Sequence, residues 1–294
     1  MFLERVIFRY FCKRNDKRRK ARARVPDGVE RRADIPYGKH GMWNLLDVYY
    51  PKNYLKDVTK PLPTIVNVHG GGYVYGTKEE SRFYCMDLAR RGFAVVNFNY
   101  RLVPAVSFPV PVLEANQVME WVCANASEYF IDLGNVFMVG DSAGAQIASQ
   151  YVAMATNPAY AELFGLEIPP VQLKAVALNC GMYEKFHEMK RPMLNMLKGY
   201  FGKTSDVHGE LLDVLGHITK DYPPAFVMTA NKDFLFSCSL PLYERLQSLG
   251  VESVYKVFGS KENPLKHVFH IDTSLDMAHE CNDEQAAFFL GHVK

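Results

Sequence analysis

Residues 136–144 read Val-Phe-Met-Val-Gly-Asp-Ser-Ala-Gly, and no other stretch constrains the fold of this 294-residue chain as tightly. Residues 136–139 are a short apolar run of the kind a buried strand uses. The run stops at Gly140, and small residues at helical spacing, Ala143, Ala145 and Ala148, begin just after Ser142. A strand that ends at Gly-x-Ser-x-Gly and becomes a helix at once is the sequence form of a nucleophile elbow. Such a turn strains the serine backbone, and side chains on the flanking glycines would strike the strand or the helix. It also places Oγ at the positive end of a helix, where developing negative charge is favoured. The pentapeptide alone describes a second arrangement equally well, a strand-to-helix turn whose serine merely caps the helix. The two are separated by whether partner residues follow in the right order and the right kind of segment.

Short apolar runs alternate with helical patterns along the chain. Residues 44–50, 64–68, 93–100, 173–179, 225–229 and 253–258 read as further strands, and 79–91, 114–124, 240–249 and 284–293 as helices. This alternation predicts an α/β fold with a mostly parallel central sheet and helices on both faces. The length is ample for one full core. Residues 182–222 carry no strand signal, but Met189, Met193, Met196, Leu197 and Tyr200 recur there at helical spacing.

Charge is distributed unevenly. Residues 1–24 hold ten Lys/Arg against Glu4 and Asp16, a net of +8, so the chain's total of +2 leaves −6 on the remainder. Outside that segment nothing suggests a nucleic-acid-binding surface. Residues 1–24 read as a helix in which Leu3, Val6, Ile7, Tyr10 and Phe11 share one face, with Arg5, Arg9 and Lys13 on another. One reading is a basic amphipathic helix lying on anionic lipid. The plainer one is a helix packed over the protein's own active site, with a solvated basic flank. The six cysteines show no metal-ligand spacing and suit a reducing compartment. No apolar run approaches a membrane span, and Arg5 and Arg9 interrupt any signal-peptide pattern, so a cytoplasmic location is expected.

His69-Gly70-Gly71-Gly72 follows a strand. Consecutive glycines let backbone N–H groups turn toward a ligand, as an oxyanion hole requires. A phosphate loop would need Gly-x-x-x-x-Gly-Lys-Ser/Thr, which is missing, and no dinucleotide fingerprint is present.

His-Gly-Gly-Gly at 69–72, Asn-Tyr-Arg-Leu at 99–102 and Gly-Asp-Ser-Ala-Gly at 140–144, in this order, resemble the hormone-sensitive-lipase-like branch of the α/β-hydrolase esterases. The resemblance runs from about residue 46 to 269. It implies an α/β-hydrolase with a helical cap, formed here by about residues 1–24 and 182–222. It assigns oxyanion donors to the N–H groups of Gly71, Gly72 and Ala143, and a supporting role to His69. The acid is expected just past the strand at 225–229, which places it at Asp233. Ser237 stands where the family often has a second carboxylate. The family's His-x-Phe pattern selects His267 as the base and leaves His270 as a packing or pocket histidine. His279 and His292 read as surface residues. Three positions depart from the family pattern: Asn99 for Asp and Ala105 for Glu, both near loop support, and Ala145 for Gly in the elbow helix.

Together these residues imply a serine carboxylic-ester hydrolase. His267 would take the Ser142 proton, Asp233 would orient the imidazolium, and no metal or organic cofactor would be needed. The resemblance implies a small-molecule ester substrate with a short to medium acyl chain. Deacetylation and peptide hydrolysis are rival chemistries on the same fold. A non-catalytic binding protein is a rival of another kind, known on this fold where the histidine is lost. Met and aromatic residues at 182–222 (Tyr183, Phe186, Met189, Met193, Met196, Tyr200, Phe201) suit either an adaptable apolar pocket or simple cap packing.

Overall fold

The computed structural model describes residues 2–58, 60–183, 191–202 and 209–294. In chain order, helix α1 (Phe2–Arg22) precedes strands β1 (Val29–Pro36), β2 (Leu45–Pro51) and β3 (Leu62–Val68). Then come α2 (Arg82–Ala89), β4 (Ala94–Phe98), α3 (Val110–Ala124), β5 (Ile131–Asp141), α4 (Ala143–Thr156) and α5 (Pro158–Glu162). The rest comprises β6 (Leu173–Asn179), α6 (Arg191–Phe201), α7 (Gly209–Leu212), α8 (Val214–His217), β7 (Ala225–Ala230), α9 (Leu240–Ser248), β8 (Ser253–Phe258) and α10 (Asp276–Leu290).

The strands form one eight-stranded sheet in the order β1-β2-β4-β3-β5-β6-β7-β8. The β1–β2 and β2–β4 pairs are antiparallel, and every later pair is parallel. Alternate residues of the central strands point to opposite faces, as the pleat requires. Val66, Met138 and Val176 join α3 and α4 in one apolar layer. Ile65, Phe137 and Ala175 join α2 and α10 in the other. Strands buried on both faces must be apolar at almost every position, which is why these runs were legible.

Two elements differ from expectation. Residues 29–36 (Val-Glu-Arg-Arg-Ala-Asp-Ile-Pro) carry no apolar alternation, yet they form β1 at the sheet edge. Charge holds the strand there. Arg31 Nη2 lies 2.6 Å from the fully buried Asp47 of β2, and the Arg32 guanidinium sits over the rings of Tyr50, Tyr129 and Phe130. The closing helix begins at Asp276 rather than 284, with Ala278, Cys281 and Asn282 buried in its first turns.

Asp47 is the centre of this edge. Besides Arg31 it accepts from Lys78 Nζ at 2.9 Å, the Tyr49 hydroxyl at 2.9 Å and the Asp34 N–H at 3.0 Å. Lys78 is itself buried, so removing the carboxylate strips a desolvated cation of a partner. Asp47→Ala should therefore cost about 3–5 kcal/mol of stability, measured as a lowered urea midpoint. Asp47→Asn should recover only part of that loss.

Candidate active site

The elbow forms where β5 gives way to α4. Ser142 sits at φ 53°, ψ −117°, and its side chain makes no capping hydrogen bond. The capping alternative therefore drops out, because the hydroxyl is turned away from the helix it precedes. Gly144 allows the tight turn: a Cβ there would lie 2.0 Å from the Val68 carbonyl oxygen.

Folding brings Ser142, Asp233 and His267 together. His267 Nε2 is 2.9 Å from Ser142 Oγ, and His267 Nδ1 is 2.8 Å from Asp233 Oδ1. A carboxylate only accepts, so Nδ1 carries the proton and the Nε2 lone pair faces the hydroxyl. Asp233 lies in the turn after β7, where its Oδ1 also accepts the Leu235 N–H at 2.7 Å. Burial works to raise its pKa, but hydrogen bonding and charge from His267 outweigh burial, and the Cys180 thiol and the Leu235 N–H add to them. The carboxyl is held below its ordinary value. Cys180 was not singled out in the sequence. Only its place at the end of β6, level with the elbow, signals it. His267, Asp233 and Cys180 each offer an atom to a metal ion within 4.8 Å of one another. A bound metal would compete with the contacts that link His267 to Ser142 and Asp233.

The glycine loop faces the elbow. Gly71 has φ 123°, and a Cβ there would lie 1.9 Å from the Tyr75 carbonyl oxygen, so only glycine fits. Among the described residues, the N–H groups of Gly71, Gly72 and Ala143 donate to no protein acceptor. His69 supports the loop. Its ring stacks on Tyr100 at 4.2 Å, and the Tyr100 hydroxyl donates to the His69 carbonyl at 2.7 Å. Burial, opposed by a hydrogen bond to the Gly70 carbonyl, pushes its pKa down to about 4, so the ring stays neutral. Asn99 Oδ1 accepts the Lys78 N–H at 2.6 Å and its Nδ2 donates to the Met42 carbonyl at 2.6 Å, which makes it the loop support expected at that position. Ala105 is exposed, and Ala145 is buried in α4.

His270 does not line the cavity. It is fully buried, edge-on to Tyr84 at 5.0 Å, and neither ring nitrogen has a partner among the described residues. Burial is the main cause of its pKa falling to about 3. His279 and His292 are half-buried rather than at the surface. Their rings bond to the Thr273 carbonyl at 3.1 Å and the Phe288 carbonyl at 2.7 Å.

A cavity of about 820 Å³ opens over Ser142. Its walls include the glycine loop, Phe234, Leu197 and residues of α1 such as Phe8 and Arg19. Tyr183, Tyr200 and Phe201 are buried and do not line it; Tyr200 stacks on Tyr73 at 3.8 Å. Phe186 and Met189 lie outside the described residues, as do the side chains of Met193 and Met196. α1 packs on α6, but not as the packed-helix reading with a solvated basic flank has it, because the apolar residues are the ones left in solvent. Arg9 donates to the Val74 and Val103 carbonyls at 2.7 and 2.8 Å and Arg19 to the Glu80 carbonyl at 2.8 Å, while Leu3, Val6, Ile7, Tyr10 and Phe11 are exposed. No helix among the described residues is long and apolar enough to cross a membrane.

The sequence profile of the α/β-hydrolase fold family matches residues 65–271, most of the chain. The chain belongs to the α/β-hydrolase fold family. The chain is similar to an esterase of Gibberella moniliformis, 30% identical over 234 residues that cover 74% of this chain and 70% of that protein. It is 28% identical over 210 residues to the probable carboxylic ester hydrolase LipM of Mycobacterium tuberculosis, covering 69% of this chain. The chain spans about half of that relative, 48% of its length. Among solved structures, esterase B of Lactobacillus rhamnosis is similar with a TM-score of 0.87 at 28% identity, covering 97% of this chain and 92% of that one. A second structure of that enzyme is described as inhibited by a C4-C4 SN3 tributyrin phosphonate. The hormone-sensitive-lipase-like resemblance of the motifs agrees with these relatives.

One carboxyl beside the elbow has a measurable signature. Asp141 Oδ1 accepts the Gly70 N–H at 3.1 Å, and burial, opposed by the charge of His267, pushes its pKa up from 3.8 to about 6. Over that window the folded protein holds a proton that the unfolded chain has released, so stability falls as pH rises. Asp233, held low, acts in the opposite sense and only below 3.8. Asp141→Asn keeps the acceptor but cannot ionise. The stability difference, wild type minus Asp141→Asn, should decline from pH 4 to 6 in thermal melts and level off above.

Proposed function

We propose that this hydrolase is a serine carboxylesterase for short to medium acyl esters. The single observation that carries this reading is the unbroken hydrogen-bonded chain from Ser142 Oγ through His267 to Asp233, placed at a strained elbow beside unpaired backbone N–H groups. Ser142 Oγ attacks the ester carbonyl while His267 Nε2 takes its proton. The N–H groups of Gly71, Gly72 and Ala143 receive the oxyanion, aided by the positive end of α4. The imidazolium, stabilised by Asp233, then protonates the departing alcohol. Water activated by the same histidine releases the acid and regenerates the serine. His267, Asp233 and the backbone donors supply every proton and charge this sequence needs.

The esterase names of the relatives support the reaction class, and the tributyrin-derived inhibitor of the Lactobacillus enzyme supports a short acyl group. The roof of α1 and α6 over the cavity supports a cap that encloses the acyl or alcohol portion. An intact histidine, bonded on both sides, favours catalysis over passive binding.

The test is hydrolysis of p-nitrophenyl esters from acetate to laurate. Turnover should peak at a short chain and vanish in Ser142→Ala, and equal turnover by that variant would overturn the assignment. Gly71→Ala should lower kcat on the order of 100-fold, because the methyl group displaces the loop that carries the donors.

A further inference from the structure

We propose that the outward face of α1 is a docking surface for anionic lipid, and that it holds the mouth of the cavity against a membrane. The helix carries two opposed strips. Phe8, Cys12, Asn15, Arg19 and Arg22, spaced by four and three, all line the cavity. Leu3, Ile7, Tyr10, Arg14 and Lys17 follow the same spacing on the other side, so they point away from the protein. Over the first turns this outward side is apolar: Phe2, Leu3, Val6, Ile7, Tyr10 and Phe11 are each 45–75% exposed. Further along it is basic, with Lys13, Arg14, Lys17 and Arg18 exposed and unpaired among the described residues.

Solvent alone rewards neither half. Six large apolar side chains in water on one helix face are costly, and four adjacent cations repel one another. An anionic bilayer relieves both, because apolar side chains enter the headgroup boundary while Lys and Arg meet lipid phosphates. A second copy of the chain is a poorer occupant, since a two-fold pairing of this strip either opposes its cations or lays each basic half against the partner's apolar half. The body supplies the anchorage: Arg9 and Arg19 tie the helix to backbone carbonyls of the body, and Arg22 pairs with the buried Asp272. The outward strip is therefore presented on a fixed platform. Phe11 and Arg18 belong both to the exposed side and to the cavity wall, so the docked face borders the mouth. Elsewhere in the cavity wall, Lys232, Lys266 and Phe234 are also exposed and add the same mixture of charge and apolar surface.

The experiment is co-sedimentation of the full chain with phosphatidylcholine vesicles, with and without phosphatidylglycerol, at low and high salt. Binding should require phosphatidylglycerol and weaken with salt. Replacing Lys13, Arg14 and Lys17 with Gln should lower partitioning on the order of a hundredfold. Replacing Leu3 and Ile7 with Gln should also release the protein. None of these five residues lines the cavity, so turnover of p-nitrophenyl acetate and the thermal midpoint should stay unchanged. The melt checks the fold even if the esterase reading fails. No binding of the intact chain to anionic vesicles at low salt would overturn the proposal. So would binding that survives both sets of substitutions, or a dimer in light scattering that the Leu3 and Ile7 changes abolish.

Discussion

The site depends on one close approach. The first turn of α4 lies so near the end of β3 that a methyl group on Gly144 would overlap the Val68 carbonyl oxygen at 2.0 Å. Because β3 and β5 are adjacent, parallel and level at Val68 and Gly140, the loop leaving β3 and the elbow leaving β5 emerge side by side. Gly70 and Asp141 close that gap with a hydrogen bond at 3.1 Å. The serine and the glycine-loop N–H groups thus meet at the carboxyl ends of the strands, where open α/β sheets place ligands. Histidine and acid arrive from the far side of the sheet, on loops following β7 and β8.

A loop of glycines has no side chains with which to pack, so its neighbours hold it by polar contacts. Tyr100 holds His69 by stacking and by a hydrogen bond. Arg101, next in sequence, binds the buried Glu114 at 2.6 Å, which also accepts from Asn44. Asn99 links the chain before β2 to the segment after the glycine loop. The Asn-Tyr-Arg-Leu motif therefore acts as a strut for the loop, although none of its side chains lies in the cavity wall. Buried polar groups of this kind are costly when unpaired, which makes the arrangement specific rather than merely compact.

The family match begins at residue 65, after α1, β1 and β2. In α1 and β1, charge organises the structure more than apolar packing does, whereas β2 is buried along most of its length. Arg31 and Lys78 hold the sheet edge through Asp47, and arginines bonded to body carbonyls hold α1 over the cavity. The enzyme-like centre and its roof are thus built on different physical terms.

Much of the centre was legible from local pattern. Apolar runs marked the parallel strands because a sheet covered on both faces tolerates little else. Gly-x-Ser-x-Gly marked the elbow because backbone crowding excludes side chains there. The order of serine, aspartate and histidine followed the order of strand ends. The choice between His267 and His270 needed a family pattern in the sequence, and the fold gives its physical reason. Val268, in the left-handed region at φ 51°, turns the chain so that one ring meets Ser142 and the other is buried against Tyr84. β1 was illegible because its partner is a carboxylate in another strand, not an apolar face. The two faces of α1 were visible as a period, but the sequence could not say which one meets the body. Periodicity is a property of the helix itself. What each face touches is decided by groups far along the chain, here the carbonyls of Val74, Glu80 and Val103, and only the tertiary structure brings those into reach.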